Sequence, residues 1–163
     1  MMKRVIINLA YKILRVYWQI FKPVTLGARA IVVGSDEKIL LVKHTYQDHW
    51  FIPGGGVKKS ETFGQAIRRE LIEEAGYEAS RIELFGIYQS TLEGKRDNIA
   101  VFVCRDGNFI ESSRLSSPDS FEIETHKFFG IDSLPENTSR GSRKRIEEYF
   151  SPNPDDAKRF GIW

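Results

Sequence analysis

The chain has 163 residues, 41% hydrophobic and 28% charged, and carries a net charge of +2. That is enough chain for one domain with a sizeable core, and the composition is that of a soluble globular protein. A single cysteine, Cys104, excludes an internal disulfide and a cysteine-built metal site, so the chain reads as cytoplasmic.

The charge is unevenly spread. Residues 1–31 hold six basic residues (Lys3, Arg4, Lys12, Arg15, Lys22, Arg29) and no acidic one, which leaves −4 for the remainder. Polar residues at Arg4, Asn8, Lys12, Arg15, Gln19 and Lys22 trace one narrow stripe at helical spacing, and the rest of 5–21 is apolar. This predicts an amphipathic helix within a segment 1–23, ended by Pro23. Lys12 and Arg15 exclude a transmembrane span, and no small-residue cleavage site follows to make a secretory signal. The helix is expected to pack on its own domain or on a second copy in a homodimer. Contact with a membrane surface through the basic stripe, or a targeting role, are the other readings. No feature points to DNA.

Residues 24–150 read as the main domain. Thr25 to Val33 is a strand, Gly34 to Glu37 a turn and Lys38 to His44 the returning strand of a hairpin. Tyr46 to Phe51 is a loop and short strand leading into Pro53-Gly54-Gly55-Gly56, which can bring bare backbone close to a ligand. Thr62 to Ala75 is a helix with Phe63, Ala66, Ile67 and Leu71 toward a core. Ile82 to Ser90 and Ile99 to Cys104 are strands divided by Glu93 to Asp97, and Cys104 ends an apolar run as a buried strand residue. Asp106-Gly107-Asn108 is expected to turn the chain. Ser112 to Ser120 is a serine-rich loop, Thr125 to Phe129 a strand and Ser139 to Phe150 a second helix. The tail 151–163 is irregular, with Phe160 and Trp163 available to tack it down. Strands flanked by two helices predict an α+β fold, a mixed sheet sandwiched between helices.

The chemistry concentrates between Gly55 and Tyr77. Glu70, Glu73 and Glu74 are three and four positions apart, which puts them on one helix face. Carboxylates so crowded raise one another's pKa unless a cation sits among them, and a hard divalent ion such as Mg²⁺ suits oxygen donors. A Glu-rich helix face is more often simply solvated, so three glutamates alone decide nothing. Their surroundings add weight. Glu61 is placed to hold the Arg69 guanidinium as a bidentate pair, and Gly76 follows the helix where a left-handed stop favours glycine.

This stretch resembles the Nudix box, G-x5-E-x7-R-E-U-x-E-E-x-G-U with U apolar, at every fixed position: Gly55, Glu61, Arg69, Glu70, Glu73, Glu74 and Gly76. Leu71 and Tyr77 fill two of the apolar places. The likeness extends from about residue 24 to 150, including a late Glu-Ile, Phe-Phe and Leu-Pro series between Phe121 and Pro135. It implies an α/β/α sandwich and a hydrolase that cuts the pyrophosphate bond of a nucleoside diphosphate linked to another moiety. It implies Mg²⁺, with Mn²⁺ as the alternative, held by Glu70, Glu73 and Glu74 and by a backbone carbonyl of Gly54 or Gly55. Arg69, locked to Glu61, orients rather than reacts. Glu73, Glu74 or Glu122 is the general base, Glu122 by its place in the Glu-Ile segment; His126 and His49 are weaker candidates. Gly54, Gly55, Gly56, His49 and Trp50 are expected at the substrate, although Trp50 equally fits a core ring beneath the glycines. Lys43, Arg96, Lys58 and Lys59 read more simply as solvated.

Substrate choice is less legible. The proline associated with ADP-ribose hydrolases, the tyrosine of dinucleoside polyphosphate hydrolases and the upstream motif of coenzyme A pyrophosphatases are all missing from their places. ADP-ribose or another nucleotide sugar stays first by analogy alone. The rivals are an RNA 5′-pyrophosphohydrolase, a nucleoside triphosphate pyrophosphatase and, from another class, a nucleotide-sensing module that does not cut. The intact carboxylates speak against the last.

Overall fold

The apolar strands β1 (Val24–Val32) and β2 (Ile39–His44) organise the molecule, because both their faces are buried. Residues 28, 30 and 32 of β1, with Leu40 and Val42 of β2, enter one apolar cluster. Ile31, Ile39 and Leu41 point the opposite way into a second cluster. This is the two-residue alternation of a strand read on both sides. In the computed structural model, the structure describes residues 16, 20, 21, 23–34, 36–91, 96–110, 122–152 and 160–163.

The elements follow as β3 (Trp50–Phe51), β4 (Gly54–Gly56), α1 (Phe63–Ala75), β5 (Tyr77–Ser90), β6 (Arg96–Phe109), β7 (Ile123–Phe129), a 3-10 turn at Ile131–Ser133, α2 (Arg140–Phe150) and β8 (Phe160–Ile162). A five-stranded mixed sheet has the order β4-β1-β6-β5-β8, and a three-stranded antiparallel sheet the order β3-β2-β7. β1 runs parallel to β6, with Thr25 opposite Asp97 and Gly27 opposite Ile99. α1 covers the first cluster with Ala66, Ile67 and Leu71, and α2 covers the second with Ile146. The expected sandwich of mixed sheets between two helices is the fold observed. Fully burying Ile67 and Leu71 contributes about 1.5–3 kcal/mol for each side chain.

α1 begins and ends where its sequence dictates. Thr62 and Gln65 form a reciprocal capping box, and Gly76 closes the helix in the left-handed region at φ 60°. Phe63, expected in the core, packs at its edge as a partly buried ring.

Three expectations change. Asp106-Gly107-Asn108 does not reverse the chain: β6 runs through it, pairing Gly107 with Ala79 and Asn108 with Glu78. The turn signal was a local kink, with Asp106 at φ 55°. β5 begins at Tyr77 rather than Ile82, directly after the helix stop. The tail contributes β8, pairing Phe160 with Ile87 in parallel, and Trp163 packs in the second cluster while Phe160 itself stays exposed.

The expected N-terminal helix falls mostly outside the described residues. Of it, Val16, Ile20 and Phe21 are helical and exposed. The serine-rich loop also lies outside the described residues. Among the described residues no helix is long and apolar enough to cross a membrane.

Candidate active site

Three successive glycines form β4, and at Gly54 only glycine fits. Gly54 has φ 136°, and a Cβ there would stand 2.1 Å from the Ala28 carbonyl oxygen. A Cβ at Gly55 would stand 2.3 Å from Glu70 Oε1. The bare strand therefore lets a carboxylate of α1 press directly on the backbone.

Arg69 is the hub of that contact. Its Nε donates to Glu61 Oε1 at 2.6 Å and its Nη2 to Glu61 Oε2 at 3.0 Å, the bidentate pair that the spacing predicts. Its Nη1 donates to Glu70 Oε1 and Glu73 Oε2, both at 2.8 Å, and its Nη2 also reaches the Gly56 carbonyl at 3.1 Å. The Arg69 hydrogen bonds and the Lys58 backbone N–H hold the Glu61 carboxyl down at about 2. Glu73 has a second cation, Lys58, 3.9 Å away.

Glu74 is the most buried of the three helix carboxylates. The Gly54 N–H donates to its Oε2 at 2.7 Å. Burial pushes its pKa up to about 8, against the opposing pull of Arg29 and that N–H; Glu70 and Glu122 raise it further by like-charge repulsion. Burial also raises Glu70, again opposed by Arg69 and Arg29. The His44 Nε2 lies 3.8 Å from Glu74 Oε1. Burial and the nearby Arg29 push His44 down to about 4, so at neutral pH this contact is not an ion pair.

Helix α1 with the residues leading into it and strand β4 thus bring Glu61, Arg69, Glu70, Glu73, Glu74, Gly54 and Gly55 together, with Glu122, just before β7, close enough to raise Glu74. Among the described residues no three acidic, histidine or cysteine side chains stand at metal-ligand spacing. Glu70 and Glu73 are turned to Arg69, and Glu74 to the Gly54 N–H. The donor chemistry nevertheless fits a hard cation: three carboxylates, two of them with raised pKa, beside the carbonyls of a bare strand.

A cleft of about 480 Å³ lies beside this cluster, lined by Thr25, Gly27, Arg29, Gly55, Val57 and Asp97 among others.

The NUDIX domain family matches residues 23–149. The chain belongs to the Nudix family. A putative 8-oxo-dGTP diphosphatase of Bacillus subtilis is 42% identical over 65 residues, 40% of this chain and 44% of that protein. An RNA pyrophosphohydrolase of Hydrogenovibrio crunogenus is 45% identical over 56 residues, 34% of each. The matches thus span less than half the length of these curated relatives. A crystal structure of a UDP-X diphosphatase superposes with a TM-score of 0.63 at 26% identity, covering 84% of this chain and 66% of that one. Nudix enzymes such as these act on pyrophosphate bonds and generally use divalent metal ions.

Other expected site residues of this Nudix chain stand apart. Trp50 belongs to the second apolar cluster, edge-on to Phe129 at 5.0 Å, which is the core-ring reading. His49 is exposed, with the Phe51 ring 6.3 Å away. His126 of β7 stacks on Phe109 of β6, and Lys43 pairs with Asp48 and Glu124. Two residues were missed, Arg29 and His44. Arg29 Nη1 and His44 Nδ1 are both buried without a hydrogen-bond partner. The available signal was a charged residue inside the apolar run Ala28 to Val33, and a histidine closing the apolar run Ile39 to Val42.

Proposed function

We propose that the protein is a Mg²⁺-dependent hydrolase that cuts the pyrophosphate bond of a nucleoside diphosphate linked to a sugar, ADP-ribose or another nucleotide sugar. The observation that carries this reading is that Glu70 presses on Gly55 and Glu74 accepts from the Gly54 N–H, while Arg69 ties Glu73 to Glu70 beside them. Mg²⁺ bound there would neutralise phosphate charge and lower the pKa of a coordinated water. Glu70, Glu73, Glu74 and the carbonyl of Gly54 or Gly55 are the residues that would hold it. Glu61 fixes Arg69, and Arg69 balances Glu70 and Glu73. Glu73, Glu74 or Glu122, the last a neighbour of Glu74, would accept the proton of the attacking water. Arg29, partly buried, lines the cleft beside the cluster and would offer its unpartnered Nη1 to the pyrophosphate.

The sugar-linked class is favoured by the likeness to the UDP-X diphosphatase, which covers most of this chain. The pyrophosphohydrolase relatives match only short stretches, and RNA-end hydrolysis remains the reading to test against it. The deciding experiment is an assay panel of nucleotide sugars, ADP-ribose, dinucleoside polyphosphates, nucleoside triphosphates and 5′-triphosphate RNA with Mg²⁺ and with Mn²⁺. Cleavage of the sugar-linked nucleotides with the highest kcat/KM supports the proposal. Preference for RNA or triphosphates would replace the substrate class, and no cleavage of any would remove the hydrolase reading.

A further inference from the structure

Helix α1 covers only part of the sheet face it packs on. Ala28, Ala30 and Val32 of β1 and Ala100 and Phe102 of β6 belong to the cluster beneath it. Side chains two apart share a face, so the same face continues into Leu26 and Val24. The register carries it across the sheet. Ala28 stands opposite Ala100, Ala100 opposite Ile87 and Ile87 opposite Phe160, while Leu26, Asn98, Gln89 and Ile162 form the next row. Leu84, opposite Phe102, lies on this face too. Its large apolar side chains beyond α1 remain in water: Val24, Leu26, Leu84, Ile87, Phe160 and Ile162 are 48% to 78% exposed. The chain enters β1 from helical residues that are exposed as well, Val16, Ile20 and Phe21. Apart from Phe109, which packs against His126 and Phe128, these are the exposed large hydrophobics among the described residues. Together they expose on the order of 1,000 Å² of apolar surface, where the largest patch of an ordinary monomer is about 300–600 Å².

We infer that a second copy of this chain covers this surface, in a two-fold dimer whose interface is the open part of the α1 face together with the helical turn before β1. The exposed area matches the roughly 800 Å² per partner that a stable interface buries. Within one chain the two apolar parts do not cover each other, since Val16, Ile20 and Phe21 are exposed and so are Val24 and Leu26. A two-fold pair uses the same patch on both copies, so one self-complementary surface suffices. Charge agrees, because residues 1–31 are wholly basic among their charged side chains and the remainder carries −4. That remainder suits the basic stretch of a second copy and repels an anionic lipid surface. A bilayer is also the poorer cover for Gln89 and Asn98. Their amides, hydrogen-bonded to each other at 3.4 Å, stand in the middle of the face, where hydrocarbon offers no further polar partner. The dimer is independent of the reaction proposed above.

Sedimentation equilibrium of the full chain tests it in the parent, in Ile20→Lys and in the double variant Ile87→Lys with Phe160→Lys. The parent is expected at twice the chain mass at micromolar concentration. Each variant is expected at the chain mass over the same range, its dissociation constant raised at least about a hundredfold. All three positions are exposed in the single chain, so circular dichroism is expected to be unchanged. Should the lysines prevent folding, Ile87→Ser with Phe160→Ser makes the same comparison. A parent that stays at the chain mass overturns the inference, and its co-sedimentation with phosphatidylserine vesicles would assign the surface to a membrane instead. A dimer that persists in either the helix or the sheet variant also overturns it, because the interface then lies elsewhere.

Discussion

Glu74 illustrates how a side chain is held against its own preference. Its carboxyl sits near a pKa of 8 in the folded protein, against an ordinary value of 4.5. Between those values the folded state keeps a proton that the unfolded chain has released, so ion-free stability falls as pH rises from about 5 to about 8. Glu74→Gln removes this slope. Thermal melts in EDTA are expected to show a Tm advantage for the variant that grows over that range; a constant difference would contradict the burial argument. Glu61 works in the opposite sense, since its carboxyl is held at about 2 in the folded state. Its stabilisation is complete above about pH 4.5 and is lost as pH falls toward 2. Glu61→Gln should therefore flatten the acid limb of the Tm profile, whereas parallel acid limbs would show that the pair with Arg69 does not form. For catalysis, Glu73→Gln and Glu74→Gln are each expected to lower kcat by at least about a hundredfold, or about 2.7 kcal/mol, with unchanged circular dichroism. Losses under about tenfold in both would defeat their role at the metal.

At the scale of elements, β4 and α1 act as one unit because glycine lets them touch. Gly54→Ala forces a side chain into φ 136° and against the Ala28 carbonyl, so a loss of at least about 1–3 kcal/mol in urea denaturation is expected. Gly55→Ala meets only the movable end of Glu70. It should cost less stability but displace Glu70, with activity falling more than stability. Equal stability losses in the two variants would contradict that distinction. α1 was legible in the sequence because local chemistry agrees throughout: a Thr62–Gln65 capping box, apolar spacing at Ala66, Ile67 and Leu71, and a Gly76 stop. The Asp106–Asn108 misreading has the same local origin, since Asp-Gly marks a left-handed residue whether or not the chain reverses. The start of β5 escaped notice because Glu78, Ser80 and Arg81 face solvent, leaving only Tyr77 and Ala79 to mark a buried face. Arg29 and His44 were illegible as site residues because their importance comes from β1 and β2 carrying them to Glu74, a neighbour distant in sequence.

For the whole molecule, two apolar clusters on opposite sides of the sheets fix α1 and α2 independently, so the carboxylate face of α1 is positioned by packing rather than by its charges. The box and the sandwich were readable because each is a pattern of near neighbours in sequence. The cleft was not, since it is assembled from β1, β4 and β6, whose adjacency only the sheet order reveals. Closure at the far edge depends on the tail: Arg145, fully buried in α2, lies with its guanidinium 3.8 Å from the Tyr88 ring centroid and 5.8 Å from that of Trp163. Removing residues 160–163 exposes that cation and is expected to lower Tm, while an unchanged Tm would show that β8 contributes nothing to the core. The α1 carboxylates are proposed to hold a divalent ion for pyrophosphate cleavage. The most direct test of that role is the hydrolysis rate of a nucleotide sugar as Mg²⁺ is titrated into EDTA-stripped protein. A saturable rise that Glu73→Gln and Glu74→Gln abolish is the expected result; a rate indifferent to Mg²⁺, or a rise that both variants retain, would contradict it.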